Sequence, residues 1–230
     1  MKKNYQALIS SLTYAAMSTR PDIGYITQFP SHSNKSPTEH DWNMVKRVLR
    51  YLKGTRDVGN VYRRSPKTSD TNLEHATPWG YCDANYAEDS HDRKSTSGYV
   101  FMLAGSPVAG KSKKQVSVVL STTEAEYYAV GIACQEAMWI KQICQELNVS
   151  INELIRIYTN TTGAVALTNN PIFHNRSKNI DIHWHFVRDL IRARTIHTSH
   201  IPGMQNGADF LTKVLNCFEH QRCVKLLGME

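Results

Sequence analysis

Asp83, Glu124, Glu126, Asn160 and Asp209 fall where strand and helix patterns begin or end. Asp83 closes the short apolar run Tyr81-Cys82-Asp83, and Glu124 and Glu126 open a long helical pattern. Asn160 follows the strand-like Ile155-Arg156-Ile157-Tyr158, and Asp209 stands near the start of a C-terminal helical segment. Carboxylates converging from separate elements can hold two divalent cations about 3.5–4 Å apart, a clamp for the attacking and leaving oxygens of a phosphodiester. Hard oxygen ligands suit Mg2+, which also coordinates phosphate. Acidic side chains at element ends are equally common on solvated surfaces, so spacing alone leaves that reading open.

The elements that must position these groups fall into four stretches. Residues 1–64 read as helical. Leu8, Ile9, Leu12 and Ala16 recur at helical spacing before Pro21 stops the pattern. Ser36, Pro37 and Glu39 look like the capping box of a second helix. That helix carries an apolar stripe of Trp42, Val45, Val48, Leu49 and Leu52 and ends at Gly54. Residues 65–78 are rich in Ser, Thr, Asp and Pro and read as a linker. Residues 79–215 alternate strands and helices, and 216–230 read as a tail. Strands are expected at Tyr81–Asp83, Gly98–Leu103, Val116–Leu120, Ile155–Tyr158 and Ile196–Ile201. A long helix starts at a second capping box, Ser121 to Glu124, and runs to about Leu147. A short helix around Ala164–Leu167 and another carrying Phe186, Val187 and Leu190 complete an α/β domain with a mixed sheet flanked by helices.

Composition narrows the partners. The net charge of +7 and pI near 9.1 favour an anionic partner, nucleic acid first. Lys46, Arg47, Arg50 and Lys53 form a basic face on the second helix, either solvated or tracking phosphates. Arg93, Lys94, Lys113 and Lys114 extend the same nucleic-acid reading. Five cysteines without a CxxC pair argue for free thiols. His183 and His185 flank Trp184, but no second ligand pair at zinc spacing accompanies them. No stretch reaches the ~18 apolar residues of a membrane span. The N-terminus has some features of a signal peptide, with Lys2 and Lys3 ahead of an apolar run that Ser10, Ser11 and Thr13 interrupt.

The stretch from Tyr81 to Asp89, then Asp92 to Tyr99, Lys113 to Gln115 and Ser121 to Tyr127, resembles copia-type retrotransposon ribonuclease H. Asn170 to His174, Ile180-Asp181, His185-Phe186, Ile201-Pro202 and Ala208 to Lys213 carry the resemblance onward. Upstream, Thr19 to Ile23 and Lys46 to Thr55 resemble the segment joining that family's polymerase to its nuclease. The resemblance implies a ribonuclease H fold that cuts the RNA of an RNA–DNA hybrid with two Mg2+ or Mn2+ ions. It implies Asp83, Glu126 and Asp209 as metal ligands, with Glu124 left to cap the helix. At the third ligand position the family has Asp, and this chain has Asn160. Asn is nearly isosteric but neutral, with one carbonyl oxygen in place of two carboxylate oxygens. Weakening one metal site in this way implies a loss of about a thousandfold in rate. Gly110 in place of Trp, Asn179 in place of His and Val214 in place of Pro are further departures from the family pattern.

Three functional readings follow. One is a hybrid-specific ribonuclease, active or crippled; another is a non-catalytic remnant that still binds nucleic acid, and both place the protein inside the cell. The third is a secreted effector acting on a host protein, because Arg47-Val48-Leu49-Arg50 fits the RxLR host-targeting pattern of oomycete effectors. Arg47, Leu49 and Arg50 would then form the targeting motif.

Overall fold

The computed structural model describes residues 2–31, 36–63, 77–89, 91–149, 151, 154–169 and 178–230. Of the linker expected at 65–78, all but Thr77 and Pro78 lies outside them, as do Asn170 to His174 and the side chains of Asn179 and His183. Helix α1 (Lys2–Ser18) buries Tyr5, Ile9, Leu12 and Ala16, one face at helical spacing. It packs against α2 (Gly24–Ser31) and, with Val45 and Val48 of α3 (Glu39–Gly54), closes a first core. The cap of α3 lies two residues beyond the expected Ser36. Thr38 accepts from the Asp41 amide, and the buried Asp41 carboxylate accepts from the Thr38 amide at 2.8 Å. A carboxylate at this position also favours the positive end of the helix dipole, which Glu39 reinforces from the first turn. Leu49 lies outside the buried stripe, 40% exposed among the likewise exposed Lys46, Arg47, Arg50 and Lys53.

Ahead of α2, a 3-10 turn at Pro21–Ile23 carries a buried ion pair. Arg20 forks onto Asp22 at 2.9 and 2.7 Å, Tyr51 donates to the same carboxylate at 2.6 Å, and Arg20 also donates to the Thr55 carbonyl at 2.9 Å. Every charge in this network has a partner, the condition under which burial is tolerated. It fixes where α3 ends relative to the turn.

Five strands form one mixed sheet in the order β3-β2-β1-β4-β5. Strand β1 (Trp79–Asn85) is antiparallel to β2 (Thr96–Leu103) and parallel to β4 (Ile155–Thr159). β3 (Ser106–Lys114) is antiparallel to β2, and β5 (Ile196–His200) is parallel to β4. Helix α4 (Thr122–Glu146) crosses from the β3 edge to β4. An antiparallel meander of three strands, a long crossover helix and two parallel strands make the ribonuclease H-like fold that the sequence implies. The expected strand at Val116–Leu120 is absent. Gln115 instead turns the chain out of the sheet, with its side-chain amide bonded to Ser97 at 2.8 Å and the Ala125 carbonyl at 3.0 Å. Val116, Val118 and Leu120 consequently stand 70, 51 and 78% exposed. The edge strand is β3, whose Pro, Gly and lysines disguise it from β-propensity.

One sheet face packs Cys82, Tyr99, Phe101 and Ile157 against Tyr127, Val130 and Cys134 of α4. The other packs Tyr81, Val100 and Met102 against Phe210, Leu211, Leu227 and Met229. Residues 216–230 are thus part of the packed body rather than a tail. Helix α7 (Cys217–Leu226), capped by Asn216, buries Cys223, and Gly59 and Glu230 exchange backbone hydrogen bonds at 2.7 and 3.1 Å. The remaining helices, α5 (Thr162–Asn169) and α6 (Lys178–Arg192), cover the α4 side. All five cysteines are unpaired. Among the described residues, no helix is long and apolar enough to cross a membrane.

Candidate active site

Asp83 lies inside β1, two residues short of its end, and Asn160 immediately follows the parallel neighbour β4. Tyr81 pairs with Tyr158, so the two-residue step to each site residue brings 83 and 160 together at the same sheet end. The Asn160 amide donates to Asp83 Oδ1 at 3.2 Å, and its own oxygen accepts from Thr161 at 3.3 Å.

Asp209 arrives from the opposite face on a 3-10 turn, Asp209–Leu211, where a longer helix is expected from sequence. Gly98, paired with Asp83 across the ladder, makes this approach feasible. A Cβ at 98 would stand 2.6 Å from Leu211 Cβ and 2.9 Å from Thr212 Cγ2. Thr212, buried, donates its hydroxyl to Asp83 Oδ2. Lys213 bridges the two acids, 2.9 Å from Asp209 Oδ1 and 3.6 Å from Asp83 Oδ2, and Arg222 of α7 reaches Asp209 Oδ2 at 3.3 Å. Burial lowers the Lys213 pKa, but Asp83 and Asp209 outweigh it and hold the ammonium above its usual range. Asp209 is raised by burial and by Asp83, against the pull of Lys213 and Arg222.

Glu126 enters from the first turns of α4. It is buried, and its Oε2 has no hydrogen-bond partner. Burial first, then the neighbouring Asp83, pushes its carboxyl up to about 8, with the Ala84 backbone, Thr161 and Lys213 opposing. Glu124 accepts from the Leu120 amide at 2.8 Å while Ser121 accepts from the Glu124 amide at 3.2 Å, so it works at the helix start.

Asp83, Asn160, Asp209 and Glu126 therefore share one electrostatic neighbourhood. Among the described residues, no group of three or more His, Cys, Asp and Glu side chains is tight enough to hold a metal. Lys213, Asn160, Thr212 and Arg222 contact the carboxylate oxygens of Asp83 and Asp209. Lys213 lies within the run Ala208–Lys213 that carries the family resemblance, yet nothing in its type marks it as a bridge. Thr212 lies in the same run with nothing to mark its role, and Arg222 gives no sequence signal at all.

The basic residues come from separate elements. Lys46, Arg47, Arg50 and Lys53 line α3, whereas Arg93, exposed, and Lys94 sit in the turn between β1 and β2. Lys113 is exposed on β3, but its neighbour Lys114 is bound to Asp89 and lies 2.9 Å from Asp92. The Lys114 hydrogen bond, against some burial, holds Asp89 down at about 2.

No protein-family model matches the chain. It is 37% identical over 225 residues to the retrovirus-related Pol polyprotein from transposon RE2 of Arabidopsis thaliana, covering 98% of this chain and 15% of that protein. It is 40% identical over 140 residues to secreted RxLR effector protein 161 of Plasmopara viticola, covering 59% of this chain and 90% of that protein. A crystal structure of LC11-RNase H1 with an RNA/DNA hybrid aligns at a TM-score of 0.43 and 15% identity, covering 59% of this chain and 93% of that one. The alignment over 98% of this chain, though only 15% of the plant transposon Pol polyprotein, places the chain, with its ribonuclease H-like fold, in the copia-type retrotransposon Pol family.

Proposed function

We propose that this chain binds RNA–DNA hybrid at the sheet end carrying Asp83, and that Asn160 impairs its hydrolysis. The observation that carries this reading is the Asn160 amide donating to Asp83 at 3.2 Å, where the family resemblance places a second carboxylate. The oxygen set of Asp83, Glu126 and Asp209 suits Mg2+ or Mn2+, and the buried, unpartnered Glu126 Oε2 is a donor in need of a cation. A divalent ion there would supply charge for a phosphodiester oxygen and a bound water of lowered pKa. Asp83 and Glu126 would hold it, with Asp209 joining once Lys213 lets go. Asn160 withholds the fourth charge, so the residues fit one hard cation better than two.

On the protein side, Arg93, Lys94 and Lys113 would contact the phosphates of the hybrid, with Lys46, Arg47, Arg50 and Lys53 extending the cationic surface along α3. Such contacts make affinity salt-dependent and position the strand without reading its sequence. We assign the protein to the cell interior on the same reading.

Cleavage of a labelled hybrid with Mg2+ or Mn2+ tests the proposal on three proteins: the parent, Asn160→Asp, and Asn160→Asp with Asp83→Asn. Weak or absent cleavage by the parent, rising about a thousandfold in Asn160→Asp and lost again in the double variant, is expected. Full activity in the parent refutes impairment, and silence in Asn160→Asp refutes a competent scaffold.

One observation favours a second reading, host-directed secretion: nine-tenths of an oomycete effector aligns with this chain, and Arg47, Leu49 and Arg50 are exposed on α3. Against it, signal cleavage near Ser18 would remove α1 and with it Tyr5, Ile9 and Leu12 from the first core. N-terminal sequencing of material exported from a secretory host separates the two.

A further inference from the structure

We propose that the cavity between α3 and the segment after Asp209 binds a planar aromatic anion of mononucleotide size. Its volume is about 480 Å3, within the range of small-molecule sites, about 300–1,000 Å3. The walls come from both halves of the molecule: Met44, Val48 and Tyr51 of α3 on one side, Phe210, Val214 and Leu215 on the other. His220 fixes their separation. A ring nitrogen of His220 lies 2.9 Å from the Asp22 carbonyl, and the ring stands edge-on to Tyr51 at 5.4 Å and packs on Phe210 at 6.2 Å. On the α2 side, Tyr25 is tethered to Glu88 at 2.8 Å. Three aromatic rings among aliphatic side chains suit a flat, apolar ring face.

The charge of the lining selects an anion. Arg47 and Lys213 are its formal cations, with His40 and His220 beside them, and Asp22 is its single carboxylate. Asp22 is already neutralised by the Arg20 fork and capped by the Tyr51 hydroxyl, so it repels little. Arg47 can take a phosphate with two donors at once. Lys213 is shared between this cavity and the carboxylate pair Asp83 and Asp209, so an anion here draws on the ammonium that bridges them. The binding is independent of whether the hybrid is cut. Two sources offer this chemistry, a free nucleotide and the 5′-phosphorylated end of a strand.

Isothermal titration calorimetry of the whole chain in EDTA, so that no cation recruits phosphate to the carboxylates, tests the proposal. The probes are AMP, adenosine, and one DNA tetranucleotide carrying either a 5′-phosphate or a 5′-hydroxyl. AMP should bind, adenosine about tenfold or more weakly. Arg47→Ala should weaken AMP by a similar factor, and Met44→Trp, which fills the cavity, should abolish binding. Arg192→Ala, an exposed cation on α6 outside the lining, should leave it unchanged. Tighter binding of the phosphorylated tetranucleotide than of AMP assigns the strand end as ligand; binding of AMP alone assigns the free nucleotide. No heat with any probe, or AMP binding indifferent to both Arg47→Ala and Met44→Trp, overturns the proposal.

Discussion

Replacing Asn160 by Asp should make the fold depend on a divalent cation. The parent amide donates to Asp83 at 3.2 Å, a charge-assisted hydrogen bond whose loss costs about 1.5–3 kcal/mol. A carboxylate in its place puts two like charges about 4 Å apart, about 4 kcal/mol of repulsion at an effective dielectric of 20. Lys213, 3.6 Å from Asp83, offsets part of this. A net loss of about 2–5 kcal/mol is therefore expected in EDTA. Because Asp83 raises the pKa of the new carboxyl, the loss sets in as pH rises above its unfolded value of about 3.9 and is absent below it. An ion that binds only the folded state returns about 2.7 kcal/mol at a hundred times its dissociation constant. Urea denaturation at neutral pH, with EDTA or saturating MgCl2, measures both effects. The parent should respond weakly to Mg2+ and the variant strongly. Equal stability of the two proteins in EDTA, or an equal gain with Mg2+, would refute the reasoning.

Three further outcomes are expected. In the metal-free protein, Glu126 carries a pKa raised to about 8, so the folded state holds an extra proton between its unfolded value and that pH. Stability should fall as pH rises from about 4.5 to about 8 by a few kcal/mol, and Glu126→Gln should flatten that slope in pH-dependent urea melts. Gly110, where the family resemblance places Trp, lines a cavity of about 480 Å3 between α1, α2 and β3, and a Cβ there would meet nothing nearer than 3.5 Å. Gly110→Trp should stabilise by about 1–2 kcal/mol, raising Tm by roughly 2–6 °C; a drop in Tm would mean the space cannot take the ring. Lys114→Met should weaken hybrid binding less than Lys113→Met and lift the Asp89 pKa from about 2, since Lys114 is committed to Asp89 and Asp92. Fluorescence anisotropy with a labelled hybrid and carboxylate NMR titration check the two halves.

Much of this molecule was legible because local and global signals agreed. The stripe of α1, the long helix behind Ser121 and four of the five strands follow from period and caps alone. The misses share a cause. Val116 to Leu120 has the alternation and branching of a strand, yet the buried Gln115 side chain ties the preceding turn to Ser97 and Ala125, and the segment leaves the sheet there. Ser36-Pro37 has the letters of a cap, but Asp41 can satisfy Thr38 twice over, through both the amide and the hydroxyl. Both outcomes were decided by a polar side chain's partners, which one-dimensional patterns do not record. At the site, the family resemblance pointed to the acids and to Asn160. The groups that now contact their oxygens, Thr212, Lys213 and Arg222, are far from Asp83 in sequence and carry no type or spacing that marks them as its partners.

Those occupants change what the Asn160 substitution means. Asp83 and Asp209 face Lys213 and Arg222, so this pair of acids is balanced by cations of the chain itself. Glu126, whose carboxyl is pushed up by burial and by Asp83, adds less charge than a free carboxylate. The metal-free site is thus close to electrically closed, and a neutral donor at position 160 completes it by pairing with Asp83. An anion at 160 would leave one charge in excess, buried beside Asp83, with an external cation as its natural remedy. Metal dependence in this scaffold then turns on a single atom exchange, amide nitrogen for carboxylate oxygen. On the proposed function, Asn160 would both weaken catalysis and relieve the fold of needing an ion. A chain that folds without Mg2+ would be free to keep the proposed nucleic-acid surface after turnover was lost.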